Sequence, residues 1–339
     1  MRQRPEVIER NKTKNGNSKN TIRKYGVFCL WYNYFNMPEV KSKKRVGIIR
    51  GGAGEHYNSS LKRGGDIILH IVENLSHKYK VLDILIDKDH IWHVSGVPVI
   101  PSDLQNKIDI AWNTSHPSFS NIIESLSIPH IGSSSFLGSS KEMLKEHMKS
   151  IGVDMPRSVV LPVYQKDFDG SRERYAIKKA KTVFEKFGSP WIVKSFTPDL
   201  NMGVHFAQTF PELVAAIEDG VAHGKSILVE EFIAGKVASV HSVPHFRGET
   251  TYVFPPVNVF GELASGEKEQ LSSLAKTLHH HIGAKHYLKC NFILNKRGKV
   301  YLLDFESTPN LKSYSHFSQA CDSVGAKMHD VVEHILEQV

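Results

Sequence analysis

Cysteine is scarce. Cys29, Cys290 and Cys321 are the only three in 339 residues, and they lie far apart. That spacing supplies neither a disulfide framework nor a zinc pattern, and it suits a reducing, cytoplasmic setting. A membrane-spanning run is lacking too. The aromatic stretch VFCLWYNYF covers residues 27–35, too few to cross a bilayer, and no small-residue cleavage site follows it. Residues 46–339 hold no repeat and no low-complexity segment. Charge of one sign is missing from the body of the chain. Residues 1–45 carry 12 Lys and Arg against 3 Asp and Glu, whereas the remainder carries 31 against 32. The formal net charge of +8 therefore belongs to the N-terminal stretch, and the body has no electrostatic handle for nucleic acid.

What is present describes an ordinary soluble protein, 40% hydrophobic and 23% charged, long enough for two or three domains. Residues 1–25 are polar and expected to be disordered. MPEVKSKKRVGIIRGG reads as a plain opening into a first strand, so Met37 is expected to be the start that matters, and residues 1–42 are read as a basic extension.

From Arg45 strands and helices alternate. RVGIIRGG reads as a buried strand ending at Gly51-Gly52, and SSLKRGGDIILHIVENLSHKY as a helix capped by Ser59 or Ser60. KVLDILID and KIDIAWNTS follow as strands, then a short helix over SNIIESLS. Such alternation predicts a parallel sheet covered by helices, with ligands at the carboxyl ends of its strands, where GGAGEHYNSS sits. A dinucleotide fingerprint fails there, because Gly52-Ala53-Gly54 is followed by Tyr57 where a third glycine is needed. A glycine turn whose backbone N–H groups approach an anion, or a simple tight turn, fits better.

A second unit opens at Ser139-Ser140-Lys141, read as the cap of helix KEMLKEHMKSIG. SVVLP, PWIVKSF, VHFAQTF and SILVEEFIAG (ending at Gly235) read as strands, with helices over SRERYAIKKAKTVFEKFG and over PELVAAIEDGVAHG, which opens with Pro211. ASVHSV, TTYVFPPV and the helix EKEQLSSLAKTLHHHIG lead to a last hairpin and a single final helix over about residues 317–337. His279, His280 and His281 occupy consecutive helical positions that point different ways, which argues against a metal site among them.

The most informative stretch is residues 285–316. YLKCNFIL and KVYLLDFE flank Asn295-Lys296-Arg297-Gly298, which reads as an antiparallel hairpin. Alternation places Asp304 and Glu306 on one face with Leu302 behind them, and Lys289 with Asn291 on the partner strand. A register near Lys289 opposite Asp304 gathers all four. Two carboxylates, an amide and a cation in apolar strands are costly unless they bind something, and oxygen ligands suit Mg²⁺ held against nucleotide phosphates. A strand end at which Asp304 and Glu306 merely reach solvent is the alternative.

The order of parts (a lysine on a strand, a glycine-containing loop, a Glu-Glu-hydrophobic strand, then an acidic hairpin) resembles the ATP-grasp fold. More specifically it resembles the D-alanine–D-alanine ligase family over about residues 45–339. VGIIRGG…SSLKRGG, IPHIGSSS…SSKEMLKEHM, PWIVKSF, ILVEEFIAG and KVYLLDFESTPNLKSYS carry the likeness. The resemblance implies an α/β chain, α+β in its C-terminal part, with a parallel α/β substrate domain over 43–134. An ATP-grasp small subdomain would span 135–230 and a large subdomain with the metal site 231–339.

It also implies roles. Lys141 and Lys194 match lysines on nucleotide phosphates, Glu230 an acid near the adenine amino group, and Glu231, Phe232 and Ile233 the hinge that reads the adenine edge. Asn291, Asp304 and Glu306 fall on the Mg²⁺ positions (Mn²⁺ would serve as well), Lys289 on an arginine facing the tetrahedral intermediate, and Ser315 on a serine contacting substrate carboxylate. The glutamate expected on the first amino group aligns with Asn58, with Glu55 close by.

Departures accompany the match. The family's Asp, Glu, Asn order at the metal becomes Asn291, Asp304, Glu306. Val237 replaces the glutamate on the ribose, Asp199-Leu200-Asn201-Met202-Gly203 replaces a serine-rich phosphate loop, and Asn113-Thr114-Ser115-His116-Pro117-Ser118 replaces a longer substrate loop. The lid shrinks to VNVFGELASGEKEQ. The implied activity is ATP-dependent carboxylate–amine ligation of two D-alanine units, or similar small amino acids, for peptidoglycan precursors. A catalytically impaired ATP-grasp nucleotide-binding protein, or a ligase for a different amino acid, stays open. The implied partners are amino acids and ATP, with no nucleic acid and no membrane, and a homodimer is compatible.

Overall fold

The computed structural model describes residues 42–54, 57–132, 141–196 and 202–339. The expected extension over residues 1–42, with its Met37 start, lies outside the described residues apart from Ser42. No helix among the described residues is long and apolar enough to cross a membrane.

The run VGII makes β1 (Lys44–Gly51) an interior strand, with Val46, Ile48 and Ile49 all fully buried. After the glycine turn comes α1 (Tyr57–Asn74), then β2 (Tyr79–Ile86), β3 (Trp92–Val94), β4 (Val97–Val99), β5 (Ile110–Asn113), α2 (Ser118–Ser125) and β6 (His130–Ile131). The sheet order is β4-β3-β2-β1-β5-β6, with β1, β2, β5 and β6 parallel, as the alternation predicts. The edge differs. β3 and β4 form an antiparallel hairpin of three residues a side, too short to register as periodic pattern. Ser60 is no cap. The helix starts earlier, at Tyr57, and the buried Ser60 Oγ accepts the Gly51 N–H at 2.9 Å. Gly51 has φ +93°, and a Cβ there would lie 2.1 Å from Ile86 O, so this close turn requires glycine.

Helix α3 (Lys141–Ser150) buries Met148 against the third sheet, and its expected cap residues Ser139 and Ser140 lie outside the described residues. β7 (Ser158–Leu161), α4 (Lys166–Asp169), α5 (Arg172–Lys186), β8 (Trp191–Ser195), β9 (His205–Ala207), α6 (Phe210–Ala222) and β10 (Ile227–Glu231) follow. The strands form an antiparallel sheet, β7-β10-β8-β9. Trp191, Val193, Ile227 and Val229 face α5 and α6 in one apolar cluster, so Lys194, Leu228 and Glu230 are left for the opposite face.

The third sheet has β11 (Gly235–Pro244), β12 (Thr251–Val253), β13 (Val257–Phe260), then, after α7 (Ser265–Ile282), β14 (Leu288–Asn295) and β15 (Val300–Glu306). Its order is β12-β11-β14-β15, with β13 also paired to β11. The strand expected to end at Gly235 ends at Glu231, and Gly235 opens β11. The single terminal helix is two, α8 (His316–Asp322) and α9 (Met328–Glu337), parted where Gly325 takes φ +64°. Val331, Val332 and Ile335 of α9 join Ile67 and Ile71 of α1 in a core shared by the first sheet and the C-terminal elements.

The hairpin turn obeys its residues. Asn295 Oδ1 accepts the Arg297 and Lys299 N–H groups at 2.9 Å each, and Gly298 supplies φ +76°. Where the hairpin meets β11, Gly235 packs so closely that a Cβ would lie 2.2 Å from Leu294 O. Gly235→Ala should therefore cost about 1–3 kcal/mol, the usual range for overpacking. Thermal unfolding should show a Tm several degrees lower, and an unchanged Tm would refute this account of the joint.

Candidate active site

Opposite residues in an antiparallel ladder share a face, so the register of β11, β14 and β15 lays out the site in rows. Val237, Ile293 and Tyr301 form the first row, Ser239, Asn291 and Asp304 the second, and His241, Lys289 and Glu306 the third. The expected register put Lys289 opposite Asp304. Lys289 instead faces Glu306, two residues further on, and Asn291 faces Asp304. All four still meet on one face. Leu302 does not stand behind them, because the ladder shifts between Asn291 and Phe292 and leaves Leu303 unmatched. This bulge sends Leu302 to the opposite, apolar face with Cys290 and Phe292 while Asp304 keeps the site face.

Polar atoms link the rows. Lys289 Nζ meets Glu306 Oε1 at 3.0 Å. Asn291 Nδ2 donates to Asp304 Oδ1 at 2.5 Å, and Asn291 Oδ1 accepts the Ser239 hydroxyl at 2.5 Å. His316, from the first turn of α8, places Nδ1 3.3 Å from Ser239 Oγ. His241 Nδ1 lies 2.7 Å from the Tyr287 hydroxyl, and burial drives its pKa down to about 3, with Lys289 and His316 adding to the effect. His241 is therefore neutral. Ser239, His241 and His316 are the site residues that sequence reading missed. Polar side chains at alternate positions of ASVHSV, an otherwise apolar strand, were the available signal.

The second sheet adds a lysine and a glutamate. Lys194 Nζ lies 2.8 Å from Glu230 Oε2, with Glu230 buried and Lys194 reaching solvent. Glu231 points to the other face, where it holds the Arg157 backbone N–H and guanidinium. The Phe232 N–H donates to Pro190 O at 3.0 Å, and its half-exposed ring meets Phe206 edge-on at 4.8 Å. Ile233 follows in the link to β11.

The Asp304 side chain still reaches solvent, yet the protein crowding it raises its pKa, and the Glu306 carboxylate raises it further. Asn291, Lys194 and Lys289 oppose that rise. Lys194 thus acts on the hairpin carboxylate from a different sheet.

The remaining expected residues are less connected. Ser315 caps α8, accepting the Ser318 N–H at 3.1 Å and donating its hydroxyl to Asn310 O at 2.8 Å. Asn58 sits exposed in the first turn of α1. Glu55 lies outside the described residues, as do the Lys141 side chain and residues 199–201 of the expected phosphate loop. Among the described residues no three His, Cys, Asp or Glu side chains gather to hold a metal. The second and third rows hold two carboxylates and an amide whose oxygen is turned to Ser239, so a hard-oxygen set fit for Mg²⁺ forms once the Asn291 amide flips and phosphate and water complete the shell.

Two antiparallel sheets, with Lys194 and Glu230 on one and an acidic hairpin on the other, define the ATP-grasp class. Residues 249–337 match the family model described as D-ala D-ala ligase C-terminus. The D-alanine–D-alanine ligase of Pelotomaculum thermopropionicum is 21% identical, covering 86% of this chain and 96% of its own. The D-alanine–D-alanine ligase from Bacillus anthracis, solved in complex with ATP, superposes with TM-score 0.60 at 18% identity, covering 87% of this chain and 96% of that one. VanG D-Ala:D-Ser ligase from Enterococcus faecalis gives 0.64 at 15%, covering 88% and 99%. Over most of its length the chain is thus similar to D-alanine–D-alanine ligases and shares their fold.

If the crowding at Asp304 is electrostatic, removing its charge should not harm the metal-free protein. Asp304→Asn should match or exceed wild type in Tm at pH 7 without nucleotide or divalent cation. A clear fall in Tm would show that the carboxylate is a structural brace.

Proposed function

We propose that this protein is an ATP-dependent carboxylate–amine ligase that joins two D-alanine units, or similar small amino acids, for the supply of peptidoglycan precursors. The observation that carries the reading is the gathering of Lys289, Asn291, Asp304 and Glu306 on one face, under the influence of Lys194 from the facing sheet. A carboxylate oxygen of the first amino acid would attack the γ-phosphorus of ATP, releasing ADP and forming an acyl phosphate. The amine of the second would then attack the carbonyl carbon, lose a proton, and expel phosphate as the peptide bond forms.

Positioning and charge neutralisation do most of the work in phosphoryl transfer. Lys194 would leave Glu230 to meet phosphate oxygens, and Lys141 at the start of α3 would join it. The Glu231–Ile233 link would read the adenine edge, with the Phe206–Phe232 pair as an apolar wall. Mg²⁺ bound at Asn291, Asp304 and Glu306 would offset charge on the β- and γ-phosphates. Lys289 would face the oxyanion as a point charge without the fork of an arginine, and Ser315 would exchange its bond to Asn310 O for a substrate carboxylate. Asn58 or Glu55 would hold the first amino group.

The deciding experiment measures phosphate release from ATP across D- and L-amino acids, beside thermal unfolding with and without Mg·ATP. Wild type should turn over with D-alanine or a small relative. At a hundredfold excess over Kd, Mg·ATP should add about 2.7 kcal/mol of stability, a gain that Lys194→Ala and Asp304→Asn lose. A shift without turnover on any amino acid would favour the impaired, nucleotide-binding reading. No shift in wild type would sink both.

A further inference from the structure

The histidine run on α7 scatters, and each ring finds a different partner. His279 Nδ1 meets Ser242 Oγ at 2.8 Å in the core, and His280 Nε2 meets Thr251 Oγ1 at 3.1 Å. His281 turns outward. Its Nε2 lies 2.7 Å from Nε2 of His147 on α3, with ring centroids 4.7 Å apart and planes 32° from parallel. Two imidazole nitrogens at that distance can share only one proton between them, so both lone-pair directions converge on a single point.

We propose that His147 and His281 form a binding site for a late first-row transition-metal ion (Zn²⁺, Ni²⁺ or Cu²⁺) that staples α3 to α7. Imidazole nitrogen is a preferred ligand of these ions. Two Zn–N bonds of ~2.0–2.1 Å at a tetrahedral angle hold their nitrogens roughly 3.3 Å apart, so the pair opens by about 0.6 Å when the metal replaces the shared proton. Small rotations of two solvent-reaching side chains supply that movement.

The backbone beneath is already fixed. Met148 and Ile282, the residues next to the two histidines, are both buried in one apolar cluster with Leu278. The imidazoles are thus presented by packed helices rather than by loops, and little ordering cost remains on binding. No third His, Cys, Asp or Glu joins them among the described residues, so water fills the other positions and the ion exchanges with solvent. The site stands apart from the hairpin carboxylates and does not depend on the ligase reading. Should that reading hold, the staple grips α3 six residues, ~9 Å along the axis, from Lys141 at its start.

The test uses the full chain without nucleotide or Mg²⁺. Cu²⁺ alone is followed by electron paramagnetic resonance and Zn²⁺ alone by titration calorimetry at pH 7.5, for wild type, His147→Gln, His281→Gln and the control His329→Gln. The expected result is one ion per chain showing coupling to two imidazole nitrogens. Each of the first two variants should bind at least tenfold more weakly, with the control unchanged. Zn²⁺ should also raise the Tm of wild type and not that of either variant. The proposal fails if both variants keep wild-type affinity within twofold, if only one imidazole couples to copper, or if Zn²⁺ shifts all four proteins equally.

Discussion

Two carboxylates at alternate positions of one strand, Asp304 and Glu306, are the constraint around which the third sheet is arranged. Burial raises the Asp304 pKa first, and the Glu306 carboxylate raises it further, because like charges sharing a face resist ionising together. The neighbouring rows answer each carboxylate separately. Glu306 receives a cation directly across the ladder, and Asp304 receives an amide across the ladder and a distant lysine from the second sheet. The bulge at Leu303 lets this happen without a hole in the core, because it returns Leu302 to the apolar face. The site and the packing behind it are therefore one solution, and moving the bulge by a residue would put Leu303 opposite Asn291 in place of Asp304.

That constraint also explains how far sequence reading could go. The hairpin was legible because two apolar runs flank a polar turn whose asparagine and glycine act locally. Its site face was legible because the period of two is strict over short distances. Register was not, since the turn pairs the strands one residue further along than expected and the bulge, which nothing local reports, adds one more, setting Lys289 opposite Glu306 in place of Asp304. The same limit hid other features. β3 and β4 are too short to show periodicity, and Gly235 looks like a strand end but serves as a point of close approach to Leu294. Gly325 resembles any mid-helix glycine until its left-handed φ divides α8 from α9. Ser239 and His241 escaped because a polar residue in a strand gains meaning only beside its cross-strand neighbours.

The distance from the family's usual pattern has a physical reading at the amide. The resemblance leads one to expect a carboxylate on the β14 position, with the amide at the end of β15. Here Asn291 holds the middle of its row, between the Ser239 hydroxyl and the Asp304 carboxylate. An amide can stand there because it accepts on one side and donates on the other. A carboxylate in its place could accept from Ser239 but would face Asp304 as a second anion, with no cation in that row. The permutation keeps two carboxylates and one amide while placing the only group able to bridge donor and acceptor where bridging is needed. The residual charge then sits at the outer strand, in the row that contains Lys289. It follows that Asn291 and Asp304 behave as a unit. Asn291→Asp should raise the Asp304 pKa further, whereas Asn291→Asp with Asp304→Asn should restore the alternation of donor and acceptor across the row.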